Sequence, residues 1–412
     1  MKVSQKSFVM ESGERYVLLV DGQGMPLYWP NLYVTTQVRN RSLSEAAMAS
    51  ALGGISILLR YFNERKVDMV RRFEEAKFFE GFEIDAIRDH CQIKYKKAEA
   101  DPQGIFSLYD MCVLDEKVTA ATEYTRLTEI ARYSAWLAYQ VNSHADSLLS
   151  KQVERMKTEI KARRPVRRGL NVDAELKSVG DAEVELLFEV LRPESELNPF
   201  VGEEVKVRNR LMFLLLNHLG VRRGELLSLR VRDFDFGSNQ VVIHRLQDEK
   251  KDPRVNQPKT KTNGRVLPLR DTLMQEVHRY ILSERKSIPG ALRNEYLFVV
   301  HKSGPTQGQP LSIAAYMKMI NVIRSMHPEL SKLTGHQLRH HWNNKFSEMM
   351  DAMNDPPSTE KQEQMRSVLM GWKQGSGTAA IYNRRFIEGK AHEAAQTLQE
   401  GMVRVPKEIV GG

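Results

Sequence analysis

The stretch that most constrains the fold of this chain is RNRLMFLLLNHLG, at positions 208–220. Its apolar residues form a continuous face, which is typical of a helix buried inside a globular domain. The run is far shorter than a bilayer span and contains Asn217 and His218, so it predicts no membrane helix. Gly220 favours the left-handed conformation in which many helices end, and we expect the helix to stop there.

The composition indicates a soluble protein with an anionic partner. The 412 residues exceed one ordinary domain, and the 41% hydrophobic content suffices for two cores. A net charge of +9 favours nucleic acid as the partner, although charge alone also allows a membrane surface. The N-terminus breaks its apolar residues with Glu11, Glu14 and Arg15, so it lacks the apolar run of a signal peptide. Cys91 and Cys112 are too few for a disulfide framework or a four-thiolate metal site, which fits a reducing cytoplasm.

The periodicity of the chain predicts a mainly α fold with a small antiparallel β-sheet (α+β), in two domains with appendages. Apolar residues recur at helical spacing within 40–158, for example at Leu52, Ile55, Leu127 and Ile130, and predict a small all-helical domain. The other predicted segments are a strand pair followed by an extended arm at 1–39, a basic linker at 159–181, a second domain at 182–390, and a C-terminal helix or tail at 391–412.

The predicted sheet lies in the second domain. QVVIHRL alternates like a strand, and QPKTKTNGRVLPL is typical of two short strands around a tight turn at 262–264. This predicted hairpin carries Lys259 and Lys261 close to the turn. They are either solvated surface residues or flexible cations that reach into a site.

The predicted linker is strongly basic. It carries Arg163, Arg164, Arg167 and Arg168 around a proline. Such a segment is either a solvated hinge or a strap that contacts phosphates between two domains. The positive charge of the whole chain favours the strap.

Charged residues follow the buried helix directly. In GVRRGELLSLR, Arg222 comes just after the helix-ending Gly220, and Glu225 lies one helical turn further on. The carboxylate can hold the guanidinium in place. Taken alone, the pair would be a surface salt bridge of little consequence.

A second candidate group lies in TGHQLRHH. Thr334 is a good helix cap, and His336 and Arg339 share one helical face near the positive end of that helix, where anions are favoured. His336 and His340 also have the spacing of a helical zinc pair. However, Gln337 stands where a metalloprotease needs a Glu base, so we expect no metal site.

The last candidate stretch is GWKQGSGTAAIYNRRF. It contains Trp372 and then Tyr382, followed by two arginines. A single Tyr on a short helix is usually a core residue, so this stretch carries weight only beside the others.

In this order, five stretches resemble the tyrosine recombinase (phage integrase) family. That family has a first Arg in a Gly-Leu-Arg-x-x-Glu-Leu stretch, a Lys in a β-hairpin ending in Val-Pro-Leu, a His-x-x-Arg-His element, a Leu-Gly-His/Trp element, and a Tyr about ten residues later. The stretches here are GVRRGELLSLR, KTKTNGRVLPL, HQLRHH, LMGW and AAIYNRRF. The resemblance spans roughly residues 185–388, and 40–158 looks like the family's core-binding domain.

The resemblance implies a catalytic site around one phosphodiester. Tyr382 would be the nucleophile and Lys261 the general acid, while Glu225 would support the first arginine. The side chains implied to surround the phosphodiester are Arg222, His336, Arg339 and Trp372. His340 completes the His-x-x-Arg-His element as a supporting residue.

The implied reaction is site-specific cleavage and rejoining of double-stranded DNA, as in integrases of mobile genetic elements. Fixed cations meet the negative charge of the transition state, so neither a metal nor another cofactor is expected. A 3′-phosphotyrosine keeps the energy of the broken bond, so rejoining requires no ATP. The two domains would close around DNA as a clamp, and the resemblance implies a homotetramer on synapsed sites, at the nucleoid.

Two features depart from the family pattern or leave it ambiguous. Trp372 stands where many relatives carry His, and the predicted hairpin offers two candidate lysines. The proline-containing stretch 351–362 and the N-terminal arm have no assigned role.

Two alternatives remain on sequence grounds. A type IB topoisomerase uses similar chemistry but relaxes DNA as a monomer without choosing a site. A DNA-binding accessory protein with a vestigial site is the other, although a protein that only binds DNA has no need of Tyr382.

Overall fold

The computed structural model describes the backbone of residues 3–41, 44–95, 112–142, 146–166, 179–246, 248–260, 262–375 and 394–399. It divides the chain into two compact units, Met1–Leu170 and Asn171–Gly412, and the division falls inside the predicted linker at 159–181. Each unit has its own hydrophobic core. Within the described ranges, no helix combines the length and the apolarity that a bilayer span requires.

The described part of the first unit consists of helices and two antiparallel strand pairs. Its elements are β1 (Ser4–Val9), β2 (Arg15–Val20), α1 (Tyr28–Tyr33), α2 (Glu45–Glu64), α3 (Met69–Glu74), α4 (Gly81–Gln92), β3 (Ile93–Tyr95), β4 (Cys112–Lys117), α5 (Ala120–Val141) and α6 (Ser147–Ala162). Strand β1 pairs with β2, and β3 pairs with β4. The apolar residues that predicted helices, Leu52, Ile55, Leu127 and Ile130, are fully buried in one core where α2 packs on α5.

The predicted extended arm near the N-terminus is wrong. Residues 28–41 are helical, and Tyr33 packs edge-on against Tyr133 of α5 with ring centroids 5.4 Å apart. Pro30 is the third residue of α1, where a backbone N–H would have no partner inside the helix, so it does not prevent helix formation. Trp29 and Tyr33 therefore cover the first core, and β2 contributes Val17 to the same core.

The predicted linker also begins too early. Helix α6 continues to Ala162, and its buried Met156 and Ile160 belong to the first core. The basic residues at its end alternate with these apolar residues at helical spacing, which keeps the segment folded against the unit.

The second unit combines helices with a three-stranded sheet. Its elements are α7 (Asp181–Val190), α8 (Glu203–Leu219), α9 (Arg223–Ser228), β5 (Phe234–Asp235), β6 (Gln240–Ile243), β7 (Arg265–Pro268), α10 (Asp271–Tyr280), α11 (Ile313–Met326), α12 (Gly335–Asp351) and α13 (Thr359–Met370). The predicted buried helix is confirmed as α8, with Phe213, Leu215 and Leu216 fully buried. Gly220 ends it with φ +59°, and its N–H donates to the carbonyl of Leu216. Within the stretch 351–362, residues 352–358 join α12 to α13, and residues 359–362 form the first turn of α13, which Ser358 caps.

The sheet differs from the predicted one. Its order is β5-β6-β7, with Val241 opposite Leu267 and Ile243 opposite Arg265. Residues 257–260 form a loop rather than the first strand of a hairpin. Side-chain hydrogen bonds explain this, since the Thr260 hydroxyl accepts from the N–H of Leu246 at 2.5 Å and lies 3.1 Å from the His244 carbonyl.

Candidate active site

Arg222 lies at the junction between α8 and α9. The left-handed turn at Gly220 reverses the chain, and Arg222 becomes the N-cap residue of α9. Its N–H donates to the Glu225 carboxylate at 2.9 Å, and its side chain is one-third exposed. The helix junction therefore fixes the base of this arginine and leaves its guanidinium partly accessible.

Arg339 comes from α12 and is almost completely buried. Its guanidinium donates to the carbonyl of Gly220 at 2.6 Å and to that of Met370 at 3.0 Å. It also lies 5.3 Å from the ring centroid of Trp372, which is itself buried. Arg339 thus connects the start of the Arg222 junction to the end of α13, and the structure brings Trp372 beside it.

His336 occupies the first turn of α12, which Thr334 caps by accepting from the N–H of Gln337. Burial, followed by the charges of Arg339 and Arg222, holds the pKa of His336 below its ordinary value. Its ring contacts that of His340 edge-on, with centroids 4.4 Å apart. At neutral pH, His336 is therefore a neutral imidazole that can accept a proton.

Arg222, His336 and Arg339 open on one cleft of about 480 Å³, and Lys259 also lines it. Tyr316 contributes to the apolar wall, where burial raises its pKa well above the ordinary value. Two guanidiniums, an imidazole and the N-terminus of a helix in one cleft are groups that can bind a tetrahedral oxyanion such as a phosphate.

Lys259 lines the cleft, but its amine forms a salt bridge with a carboxylate. Its Nζ lies 2.7 Å from the carboxylate of Asp248, and the side chain is mostly buried. The loop that carries it is pressed against α9. A Cβ at Gly224 would lie only 2.5 Å from the Lys259 carbonyl oxygen, so this close approach requires glycine.

Sequence reasoning missed a buried network behind the cleft. Arg265 of β7 donates to both Glu225 carboxylate oxygens, at 2.9 and 3.1 Å, and to the carbonyl of Leu369 at 2.7 Å. The Thr262 hydroxyl also donates to Glu225. Burial raises the pKa of Glu225, but the bonds to Arg265 and Thr262 outweigh it and hold the pKa below its usual range. Glu225 is therefore ionised, and Arg265 rather than Arg222 is its main partner.

A signal for Arg265 was present in the sequence. Buried and exposed residues alternate along β7, and Arg265 shares the buried face with Leu267. A charged residue on the buried face of a strand requires a buried partner of opposite charge.

The remaining predicted site residues are divided between described and undescribed parts of the chain. Arg163 pairs with Asp85 at 3.1 Å within the first unit. Arg164 stacks on the ring of Tyr124, 4.6 Å from its centroid. The predicted residues that lie outside the described ranges are Lys261, Tyr382, Arg167 and Arg168. Among the described residues, no three His, Cys, Asp or Glu side chains form a candidate metal-binding group.

Comparison with known proteins identifies the family. Residues 182–386 match the model of the phage integrase family. A XerH site-specific recombinase bound to a palindromic difH substrate, in a post-cleavage complex, is similar over 85% of this chain and 81% of that chain, with 14% identity and a TM-score of 0.50. The Tn1549 transposon integrase in complex with circular intermediate DNA is similar over 63% of this chain and 74% of that chain, with 15% identity and a TM-score of 0.38. XerA recombinase is similar over 92% of this chain and 99% of that chain, with 14% identity and a TM-score of 0.34.

At these identities, the structural likeness to XerH shows the fold alone. No curated protein sequence matches the chain at a significant level. Through residues 182–386, the chain belongs to the phage integrase family of tyrosine-type site-specific recombinases.

Proposed function

We propose that this protein cleaves and rejoins double-stranded DNA at specific sites through a covalent 3′-phosphotyrosine on Tyr382, without a metal ion or ATP. The observation that carries the proposal is the convergence of Arg222, His336 and Arg339 on one cleft. These residues come from two helix starts that are far apart in sequence, and the interior of the second unit holds them together.

The cleft suits the charge of the reaction. Attack on a phosphodiester places additional negative charge on its nonbridging oxygens, and preorganised guanidiniums stabilise that charge without rearrangement. Arg339 is held by two backbone carbonyls and by Trp372, so its position does not depend on the substrate. In the proposal, Trp372 packs against Arg339 and keeps it in place.

Tyr382 is proposed as the nucleophile because Tyr316, which also lines the cleft, is unsuited to that role. Its side chain is 1% exposed, and burial raises its pKa, which opposes formation of a phenolate. A Tyr382 phenol beside the two arginines would ionise more readily. The neutral imidazole of His336 is ready to accept its proton.

Lys261 is proposed as the general acid that protonates the leaving 5′ oxygen. An alkoxide is a poor leaving group, so proton donation by a positioned acid speeds cleavage by about a hundred- to ten-thousandfold. Lys259 is the weaker candidate because Asp248 already binds its amine. Residues 257–260 form a loop, so the alternating faces of a strand do not distinguish the two lysines.

Duplex DNA as the partner is supported by the net charge of +9 and by the family. We propose that Arg163, Arg164, Arg167 and Arg168 contact phosphates of the DNA backbone. A homotetramer on synapsed sites is also proposed. The helical residues 394–399 are exposed, including Leu398 at 58%, which suits docking on a neighbouring copy.

A nicked DNA target tests the proposal, because cleavage beside the nick releases a short strand and traps the covalent complex. The protein should form an adduct that survives denaturation, and it should do so in EDTA. Absence of an adduct on any target, or a requirement for a divalent ion, would contradict the proposed chemistry. Relaxation of plasmids without paired sites would instead favour topoisomerase-like activity.

A further inference from the structure

Glu225 lies among three guanidiniums and is itself inaccessible to solvent. Arg265 forms two hydrogen bonds with it, at 2.9 and 3.1 Å. The nearest guanidinium nitrogens of Arg222 and Arg339 stand further away, at 3.8 and 4.0 Å. One carboxylate is therefore shared by three cations, and one of the three holds it directly.

The geometry decides which arginines remain directed at the cleft. A carboxylate accepts a guanidinium best through two parallel bonds, and Arg265 has that arrangement. The distances from Glu225 to Arg222 and Arg339 exceed the range of a normal hydrogen bond by less than 1 Å. A small side-chain shift would thus allow either of them to pair with the carboxylate instead.

Arg265 cannot act on the substrate directly. Its side chain is 4% exposed, and it is absent from the lining of the cleft. Its third hydrogen bond goes to the carbonyl of Leu369, three residues before Trp372. Any influence on the reaction must pass through Glu225 or through the segment that carries Trp372.

We propose that Arg265 is a positioning residue that occupies the Glu225 carboxylate, so that Arg222 and Arg339 keep their charge directed at the phosphate. Without Arg265, the buried carboxylate would draw one of these two arginines into a close ion pair. The inference rests on the proposed function.

The test compares Arg265→Met with the double variant Arg265→Met/Glu225→Gln in adduct formation on nicked DNA. The single variant should be slower than the wild type by about a hundredfold, the usual loss when one preorganised donor is withdrawn. The double variant also removes the negative charge that would draw Arg222 or Arg339 away from the phosphate, so it should recover at least about tenfold of that loss. If the double variant is as slow as the single one, Arg265 only supports the 369–371 segment and the proposal is wrong.

Acid provides a second measurement. In Arg265→Met, Glu225 keeps its burial but loses its main cation, so it should take up a proton more readily. The adduct rate of this variant, divided by that of the wild type, should rise as the pH falls from about 8 to about 6. A ratio that does not change with pH would contradict the proposal.

Arg265→Lys covers the case in which the methionine variant does not fold. Lysine keeps the charge but loses the two-pronged contact and the bond to Leu369. The proposal predicts a rate within about tenfold of the wild type, whereas a purely supporting role predicts a loss as large as that of a neutral residue.

A matched control is available in the same unit. Arg254 and Asp252 form another buried pair, at 2.7 Å, whose arginine donates to the carbonyls of Leu227 and Leu311. Arg254→Met and Arg254→Met/Asp252→Asn should lower the unfolding temperature yet show no pH-dependent gain in relative adduct rate.

The wild type separates the two possible failures. If the wild type forms no adduct, the proposed function fails. If the wild type forms an adduct but neither Arg265→Met/Glu225→Gln nor acid restores the rate lost in Arg265→Met, only the Arg265 inference fails.

Discussion

Replacing Gly224 by alanine should slow DNA cleavage by about a hundredfold while leaving DNA binding unchanged. Gly224 lies in α9, next to Arg223 and two residues after Arg222. A Cβ there would lie 2.5 Å from the carbonyl oxygen of Lys259 and 3.4 Å from its carbonyl carbon. The obstacle is backbone, which cannot rotate away as a long side chain would.

The size of the effect follows from that distance. Cβ contacts below 3.0 Å essentially never occur, and ordinary contacts begin at 3.4 Å. Helix α9 and the 258–260 loop must therefore separate by roughly 0.5–0.9 Å. The displacement reaches Arg222 on one side or the neighbourhood of Lys261 on the other. A misplacement of about 1 Å in a catalytic group costs about a hundredfold in rate. Stability should fall by only about 0–2 kcal/mol, since alanine favours helix by about 1 kcal/mol and overpacking costs about 1–3 kcal/mol.

The measurement is single-turnover adduct formation on nicked DNA, together with binding by fluorescence anisotropy and thermal unfolding. Gly237→Ala is the matched control, because its Cβ would lie 3.4 Å from the Asp235 carboxylate, an ordinary contact. Wild-type cleavage by Gly224→Ala would refute the argument that the close approach of loop and helix positions the catalytic groups.

Three further predictions concern proton transfer and assembly. Because burial and the neighbouring arginines lower the pKa of His336 from its ordinary 6.5, its proton-accepting form persists below that pH. The second-order cleavage rate should therefore fall with acid only below about pH 6.5, and His336→Gln should lose this dependence; a fall that begins above neutrality would contradict the assignment. A substrate with sulfur in place of the bridging 5′ oxygen should restore the cleavage rate of Lys261→Ala, whereas Lys259→Ala should cleave ordinary DNA without this help. The reverse pattern would make Lys259 the general acid. Truncation after Lys390 should abolish synapsis and spare binding of a single site, whereas unchanged synaptic complexes would exclude the tail as the coupling element.

Local periodicity and turn chemistry predicted the parts of the fold that depend on neighbouring residues. The burial of α8 and its end at Gly220 followed from an apolar face and a glycine. The grouping of Arg222, His336 and Arg339 in one cleft was implied by the family resemblance rather than by any single stretch. Each motif alone was compatible with an ordinary surface.

Long-range packing accounts for what the sequence did not predict. DGQG and two prolines break the apolar runs of the N-terminal segment and favoured an extended arm, yet Tyr33 packs against Tyr133 a hundred residues later. Residues 257–260 belong to a stretch that predicted two short strands around a turn, but Thr260 binds the backbone at 244–246 and holds them as a loop. Arg265 and Glu225 lie 40 residues apart in sequence, so no helical or strand period connects them.

The most direct test of the proposed mechanism is the identity of the tyrosine that becomes attached to DNA. Tyr382→Phe removes only one hydroxyl, and Tyr316→Phe is the matched control because Tyr316 lines the cleft but is fully buried. Adduct formation on nicked DNA should disappear in Tyr382→Phe with site binding intact and persist in Tyr316→Phe. Peptide mapping of the wild-type adduct should place the nucleotide on Tyr382. An adduct that survives Tyr382→Phe, or that maps to any other residue, would contradict the account.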